Sequence, residues 1–305
     1  MNIVLFAWCA TSVLYLDALA AAGAPPSLVV TGARTPPGAP LAATCERLGV
    51  PLERRDDVEA PDLLARLGAA DLLLVAGCAR ILGAELCAAP RLGAVNFHPS
   101  RLPEYRGREP LFWAILHGEP VVALTAHRLT EDVDAGPILF QRSVVVPPRA
   151  TSASLAPLVD AAGAALIPEI VALVAAGALP EGSRPDGPGS HFPPLRAEHG
   201  LIDFTRSAVE IDRLVRAARG EIAAYTFHRG LRVLVLEGEP GDEWAPGVLP
   251  GRVAGLEGDA LVIATSGGLY RAQRFLFLDR VHDGPALAAA LGLGPGAPFT
   301  ANPAL

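Results

Sequence analysis

The sequence predicts an α/β protein with a Rossmann-like, mostly parallel sheet, followed by a second, smaller β-barrel domain of the OB-like kind. Three observations carry the prediction. Short apolar runs alternate with amphipathic stretches over the first 76 residues, the region from Pro180 to Pro194 is crowded with Pro, Gly and Ser, and several short β-like runs follow it. The chain thus divides into a first domain over 1–180, a linker over 181–198 and a β-rich domain over 199–305.

Ile3 to Ala7 reads as a buried strand, Ser12 to Ala22 as a helix with Ser12 at its N-cap, and Ser27 to Thr31 as a second strand, which makes a βαβ opening. A helix from about Leu41 to Leu48, a short strand near Leu52, a helix around Asp62 to Leu67 and the strand Leu72 to Ala76 continue the alternation. The first strand-to-helix loop, Trp8-Cys9-Ala10-Thr11-Ser12, carries no glycine. Neither a G-x-G-x-x-G turn nor a P-loop is therefore present, which disfavours a nucleotide-cofactor dehydrogenase and an NTPase. The stretch from about Ser154 to Ala176 is apolar all round and reads as one helix packed on the sheet. Beyond the linker, an amphipathic helix from Ser207 to Ala218 precedes β-like runs at Ala224–Phe227, Leu231–Leu236, Gly251–Leu256, Leu261–Ala264 and Leu269–Phe277.

A chain of 305 residues with 51% hydrophobic content can bury a large interior. Its single Met, among many Ala, Leu, Gly and Pro, reflects codon composition rather than low complexity. Net charge is −7 and the pI about 5.5, so the bulk electrostatic footprint of a nucleic-acid binder is missing, which leaves only a local basic patch on one face as a means of binding one. The four cysteines form no C-x-x-C, and neither His nor Cys recurs at zinc-ligand spacing. Reduced thiols and no structural metal are expected. The N-terminus has an apolar run without a basic region, and no apolar stretch approaches membrane-spanning length, so a cytoplasmic protein without membrane association is expected.

Most residues with chemistry lie between Gly93 and Phe140. The run Ala94 to Phe97 ends in Asn96 and His98, and Pro99 and Pro103 stop the strand. Residues two apart on a strand face the same side, so the amide and the imidazole share a site at a strand's carboxyl end, where open α/β sheets bind ligands. Alone, His98 would more often be a structural histidine. A second cluster, Glu131, Asp132 and Asp134, is closed by Ala135-Gly136 before the apolar run Ile138 to Phe140. His127, on the alternating strand Ala123 to Leu129, reads as a structural histidine within reach of the crevice, Trp113 as helix core, and Arg106 by itself as a solvated loop charge.

The order N-x-H-x-S-x-L-P-x-Y-R-G (Asn96, His98, Ser100, Leu102, Pro103, Tyr105, Arg106, Gly107), the helix Trp113 to Glu119 and Asp134-Ala135-Gly136 together resemble the folate-dependent formyltransferases. The resemblance covers nearly the whole chain, strongly in the middle and loosely at the end. It implies the formyltransferase fold, 10-formyltetrahydrofolate as a co-substrate released as tetrahydrofolate, no metal, and a small-molecule amine as partner. An amino sugar is the acceptor expected, as a sugar nucleotide or within natural-product biosynthesis. A homodimer is compatible with it. By residue, the resemblance implies a catalytic group of Asn96, His98 and Asp134. Asn96 would donate to the oxyanion of formyl transfer, His98 would stabilise it or shuttle the amine's proton, and Asp134 would orient the imidazole. The loop Ala76-Gly77-Cys78-Ala79-Arg80-Ile81-Leu82 matches the family's pterin loop, placing Cys78, Arg80, Ile81 and Leu82 with Glu131, Asp132 and Val133 at the folate. Trp8, Ser100, Tyr105 and Arg106 fall to the acceptor.

Several positions depart from the family pattern. Ala7 replaces a usual glycine, Val122-Ala123-Leu124-Thr125 replaces T-G-V-T, and Arg216-Ala217-Ala218-Arg219-Gly220-Glu221 stands where many relatives carry P-W-P. Methionyl-tRNA formyltransferase is the alternative reading. Against it, the loop Thr31 to Ala43 holds only Arg34 as a basic residue, so initiator tRNA is expected to be a poor substrate. Further alternatives are a 10-formyltetrahydrofolate hydrolase and a non-catalytic folate- or sugar-nucleotide-binding module.

Overall fold

The computed structural model of the protein describes residues 1–32, 39–78, 80–184, 186–220 and 222–302, which leaves the Arg34, Ala79 and Glu221 positions outside the described residues. Along the chain lie β1 (Ile3–Ala7), α1 (Val13–Ala21), β2 (Leu28–Gly32), α2 (Ala39–Leu48), β3 (Leu52–Arg55), α3 (Pro61–Gly68), β4 (Leu72–Ala76), α4 (Ala84–Ala88) and β5 (Ala94–His98). There follow β6 (Arg106–Gly107), α5 (Pro110–His117), β7 (Val121–Arg128), β8 (Ile138–Val145), α6 (Ser152–Ala164), α7 (Ile167–Ala175) and β9 (His191–Phe192). Seven strands form one sheet in the order β3-β2-β1-β4-β5-β7-β8. The first five run parallel, and β7 and β8 continue the sheet antiparallel.

Strands covered on both faces must be apolar throughout, and β1 (IVLFA) and β4 (LLLVA) are buried at every position. On one face Val4, Phe6, Val30 and Val75 meet Leu63 and Leu67 of α3, whose spacing of four brings both to the same side. On the other, the Tyr15 ring of α1 packs at a tilt against Phe97, with centroids 4.5 Å apart. Each fully buried Val or Leu there contributes about 1.5–3 kcal/mol. Gly163 of α6 permits a close approach, because a Cβ there would run into Leu124 of β7 and the Tyr15 ring.

Two helical expectations change. Ser12 does precede α1, but its backbone is helical and its hydroxyl donates to the Ala76 carbonyl at 3.0 Å, tying the loop after β1 to the end of β4 instead of capping the helix. The single helix expected from Ser154 to Ala176 is two, α6 and α7. Pro168, in the first turn of α7, has no N–H to continue the hydrogen-bond ladder. The expectation about apolar length is also corrected. By length and composition, Ser152–Ala175 is the one helical stretch among the described residues apolar enough to cross a membrane. Its stripe Leu155, Val159, Leu166, Ile167, Ile170 and Val174 is buried within the protein itself.

The chain forms two compact units that are not contiguous in sequence. Met1–Pro110, Pro120–Val146 and Leu155–Pro193 make the first; Leu111–Glu119, Pro147–Ser154 and Pro194–Leu305 make the second. This differs from the contiguous division expected, and two sets of contacts within the second unit say why. Trp113 packs edge-on against His199 at 5.2 Å, and the buried Asp212 carboxylate takes Arg149 and Arg216 at 2.7 Å each, while Arg216 also donates to the Ala150 carbonyl.

The second unit contains α8 (Ala208–Ala217), β10 (Ala224–His228), β11 (Leu231–Gly241), β12 (Val253–Glu257), β13 (Ala260–Ala264), β14 (Leu269–Phe277), β15 (Arg280–His282) and α9 (Gly284–Leu291). Ser207 caps α8 in a reciprocal box with Glu210. The antiparallel sheet runs β10-β11-β14-β13-β12 with β15 on β14, as the β-rich reading expected. Its two edges are both taken up by the chain's own segment at 296–300. Phe227 exchanges two backbone hydrogen bonds with Thr300, and Gly296 and Ala297 pair with Val253. The sheet is in this way closed into a barrel.

Candidate active site

β5 and β7 pair antiparallel with Asn96 opposite His127 and His98 opposite Thr125. Directly opposed residues in such a pair share a face, and residues two apart share it as well. One face of the sheet therefore presents Asn96, His98, Thr125 and His127 together. At His127 the β7–β8 register slips, with Ala126 opposite Phe140 but His127 opposite Ile138. Such a bulge re-aims a side chain, and here it falls on the residue facing Asn96. The loop after β7 returns Asp134 to this face in a left-handed conformation, φ +49°.

Four groups converge. Asp134 Oδ2 accepts the Gly107 N–H at 2.9 Å and lies 3.5 Å from His98 Nδ1, while Oδ1 lies 3.5 Å from His127 Nε2. Asn96 Nδ2 is 3.2 Å from His127 Nε2. His98 Nε2 sits 3.0 Å from the Tyr105 carbonyl. A carbonyl only accepts, so Nε2 carries the proton and the neutral ring turns the Nδ1 lone pair toward Asp134.

Burial, opposed by the Asp134 charge and the Tyr105 carbonyl, holds the His98 pKa below its ordinary value. Burial by itself would raise Asp134, but His98, His127 and the Gly107 amide outweigh it and hold the carboxyl at about 2. The site at neutral pH is thus a carboxylate beside a neutral imidazole able to take a proton on Nδ1. The sign of the pH effect follows. Both folded pKa values are depressed, so the unfolded chain binds more protons and stability rises with pH. The His98 contribution is complete above about 6.5 and is lost as pH falls through the folded value; that of Asp134 is lost from about 4 toward 2. Imidazole NMR should place the His98 midpoint below that of free histidine, and a midpoint above it would contradict this site.

The loop from Ser100 to Gly107 is held from two sides. Thr125 donates to the Ser100 carbonyl at 2.6 Å and accepts from Gln141 Nε2 at 2.9 Å, and Gln141 also reaches the Leu102 carbonyl. On the other side runs the segment expected as linker. His191–Phe192 forms β9, pairing parallel with β6; the Ser190 hydroxyl accepts the Tyr105 N–H at 2.8 Å, and Phe192 stacks on Tyr105 at 5.3 Å. Residues 188–192 therefore form a strap on the loop that positions Gly107 under Asp134. Sequence reasoning missed this strap, Thr125 and Gln141, and set His127 aside as structural.

The remaining candidates are spread more widely. Ser100 is buried with its hydroxyl donated to the Glu104 carbonyl, which closes the turn. Arg106 donates to the Pro188 carbonyl, and its Nε, buried, has no hydrogen-bond partner among the described residues. Trp8 packs on Phe6 at 5.4 Å and, with Cys78, on the core cluster that contains Leu82. Ile81 next to it is 77% exposed, and Arg80 pairs loosely with Asp56 at 3.9 Å. Glu131 and Asp132 are exposed, and Val133 is 39% exposed. Among the described residues no group of three or more His, Cys, Asp or Glu could hold a metal ion.

The family model for formyl transferase matches residues 30–171, and that for the formyl transferase C-terminal domain matches residues 194–278. The methionyl-tRNA formyltransferase of Chloroflexus aggregans is 36% identical over 251 residues, 78% of this chain and 81% of that protein. The one from Anaeromyxobacter dehalogenans is 34% identical over 278 residues, 88% and 89% of the two chains. Among solved structures, the N-formyltransferase from Helicobacter canadensis, in complex with folinic acid and dTDP-3-aminofucose, superposes with a TM-score of 0.67 at 15% identity, over 90% of this chain and 99% of that one. Matches across both units, on a chain whose Asn96, His98 and Asp134 meet on one sheet face, lead to one conclusion: this chain belongs to the folate-dependent formyltransferase family, and its chemistry is folate-dependent formyl transfer.

Proposed function

We propose that the chain formylates a primary amine through Asn96, His98 and Asp134 acting as one group, with 10-formyltetrahydrofolate as donor. The observation that supports this most is the arrangement of the Asp134 carboxylate, 3.5 Å from His98 Nδ1 and fixed by the Gly107 amide. The donor supplies an activated formyl group. Asn96 Nδ2 offers an N–H to the formyl oxygen as charge develops there, an effect worth on the order of a hundredfold or more in rate. His98 Nδ1 takes the proton that the amine gives up, and Asp134 Oδ2 stabilises the resulting imidazolium. That proton is then at hand for the departing nitrogen.

The resemblance assigns Cys78, Arg80, Ile81, Leu82, Glu131, Asp132 and Val133 to the folate, and the exposed apolar side chains of Ile81 and Val133 support that reading as surface able to cover a flat ring. Arg106, with an unspent N–H, Tyr105 and Trp8 fall to the acceptor; Ser100 shapes the turn that carries them.

For the acceptor, sequence likeness over most of both chains favours methionyl-tRNA, contrary to the expectation from charge. That expectation leaned on the loop around Arg34, of which residues 33–38 lie outside the described residues, and on a net charge that averages over all faces. An amino sugar is the second reading, favoured by the acidity of the chain and by the likeness in fold to the Helicobacter canadensis enzyme. Purified protein supplied with 10-formyltetrahydrofolate and either methionyl-tRNA or amino-sugar nucleotides decides between them. Formylation of tRNA that falls steeply with salt is expected from phosphate contacts. Formylation of the sugars alone would overturn the tRNA reading, and formate released at speed without any amine would mark a hydrolase.

A further inference from the structure

His127 is almost wholly enclosed, 1% exposed, and makes contacts that the three-residue account does not use. Its Nδ1 lies 2.9 Å from the Arg128 carbonyl. Because that oxygen only accepts, Nδ1 carries a proton, and in the neutral form of the ring Nε2 is then the acceptor. Two groups face Nε2: Asn96 Nδ2 at 3.2 Å, at hydrogen-bonding length, and Asp134 Oδ1 at 3.5 Å, beyond it. In the neutral ring that nitrogen has nothing to give a carboxylate, and only a charged His127 ring lowers the Asp134 pKa; the neutral ring does discriminate between the two ends of an amide. With the Asn96 NH2 end turned to it a hydrogen bond forms; with the oxygen end turned to it two lone pairs meet.

We infer that His127 is a positioning residue that sets which way the Asn96 amide points. One Nδ2 hydrogen is committed to the His127 ring, and the second is thereby fixed for the oxygen of the transferring formyl group. The register bulge at His127 and its direct opposition to Asn96 across β5 and β7 are the backbone devices that bring the two together. Without the ring acceptor, the Asn96 amide would lose the contact that tells its two ends apart, and its N–H would no longer be held toward the reaction. The inference rests on the proposed role of Asn96 as an oxyanion donor.

The test is a double-mutant cycle of Asn96→Ala and His127→Met, with His127→Gln alongside, read as kcat and as KM for the folate. His127→Met keeps bulk and removes the acceptor, and should lower kcat by between about tenfold and a hundredfold, part of what losing the whole donor costs, with KM changed less than about twofold. His127→Gln can present a carbonyl oxygen to the amide and should recover most of the loss. In the Asn96→Ala background, His127→Met should cost almost nothing further. An equal loss in both backgrounds, or no advantage of Gln over Met, would overturn the inference while leaving Asn96 in its role. Near-parental turnover in Asn96→Ala would instead overturn the donor assignment itself. Ring ¹⁵N NMR on the unaltered protein needs no variant to fold. A His127 proton on Nδ1 with a bare Nε2 is expected, and a proton on Nε2 would end the proposal.

Discussion

Replacing His98 by alanine should lower turnover by at least about a hundredfold with the fold retained, and Asn96→Ala should cost about as much. The two losses have different origins. His98 supplies the Nδ1 lone pair that receives the amine's proton, whereas Asn96 supplies a hydrogen to a growing negative charge. Asp134→Asn preserves size and removes the charge that favours the imidazolium, so turnover should fall while folate binding largely survives. All three serve one transition state, so the double variant His98→Ala/Asp134→Asn should be little worse than His98→Ala alone. Single-turnover rates and folate binding, with melting curves to verify folding, read this out. Near-parental turnover in any single variant removes that residue from the mechanism. Full additivity in the double variant would mean that Asp134 works without His98.

The second large effect should come from Gly107→Ala, a residue with no side chain to lose. Its φ is +98°, and an added Cβ would run into the Phe192 carbonyl oxygen and approach the His191 ring. Backbone cannot retract as a flexible side chain can, so the strap must separate from the loop. Gly107 also donates its N–H to Asp134 Oδ2, so the same shift withdraws a hydrogen bond that holds the carboxylate ionised and in place. Turnover should drop tenfold or more, with a stability loss of about 1–3 kcal/mol from the disfavoured backbone. The far smaller response of Gly187→Ala, which has a positive φ but open space around it, serves as the comparison. Equal effects of the two substitutions would show that conformation alone matters and that the strap does not.

What could be read in advance was whatever short stretches of chain determine. β1 and β4 are unbroken apolar runs because parallel strands are covered on both faces, and their limits agree with expectation residue for residue. The pairing of Asn96 with His98 followed from the two-residue repeat of a strand. His127 was set aside for the opposite reason. Its partner Asn96 lies 31 residues away, and antiparallel register together with a bulge, neither visible as periodicity, makes them neighbours. The strap escaped likewise. Pro, Gly and Ser at 180–194 do describe a chain without regular structure of its own, but Ser190 finds its hydrogen bond 85 residues back, at Tyr105. Local signals were overlooked as well. Asp283 caps α9 through the Ala286 amide and Gly292 ends it at φ +64°, both in residue types that mark helix limits.

The closing of the second unit's sheet by residues 296–300 bears on how the chain behaves in a crowded solution. An open strand edge is a row of idle amides and carbonyls on which a second chain can add itself, and many proteins guard such edges with lysine or proline. Here β10 (AYTFH) and β12 (VAGLE) carry neither, and the whole sequence contains no lysine. These two edges are instead covered by backbone pairing, from residues 296–300 on both strands and from Ile202 at Tyr225. Whatever frees residues 296–300, whether heat, a nick or a substitution at Phe299, opens the outer edge of β12 and the Phe227 end of β10 together, while Ile202 keeps its hydrogen bond to the Tyr225 carbonyl.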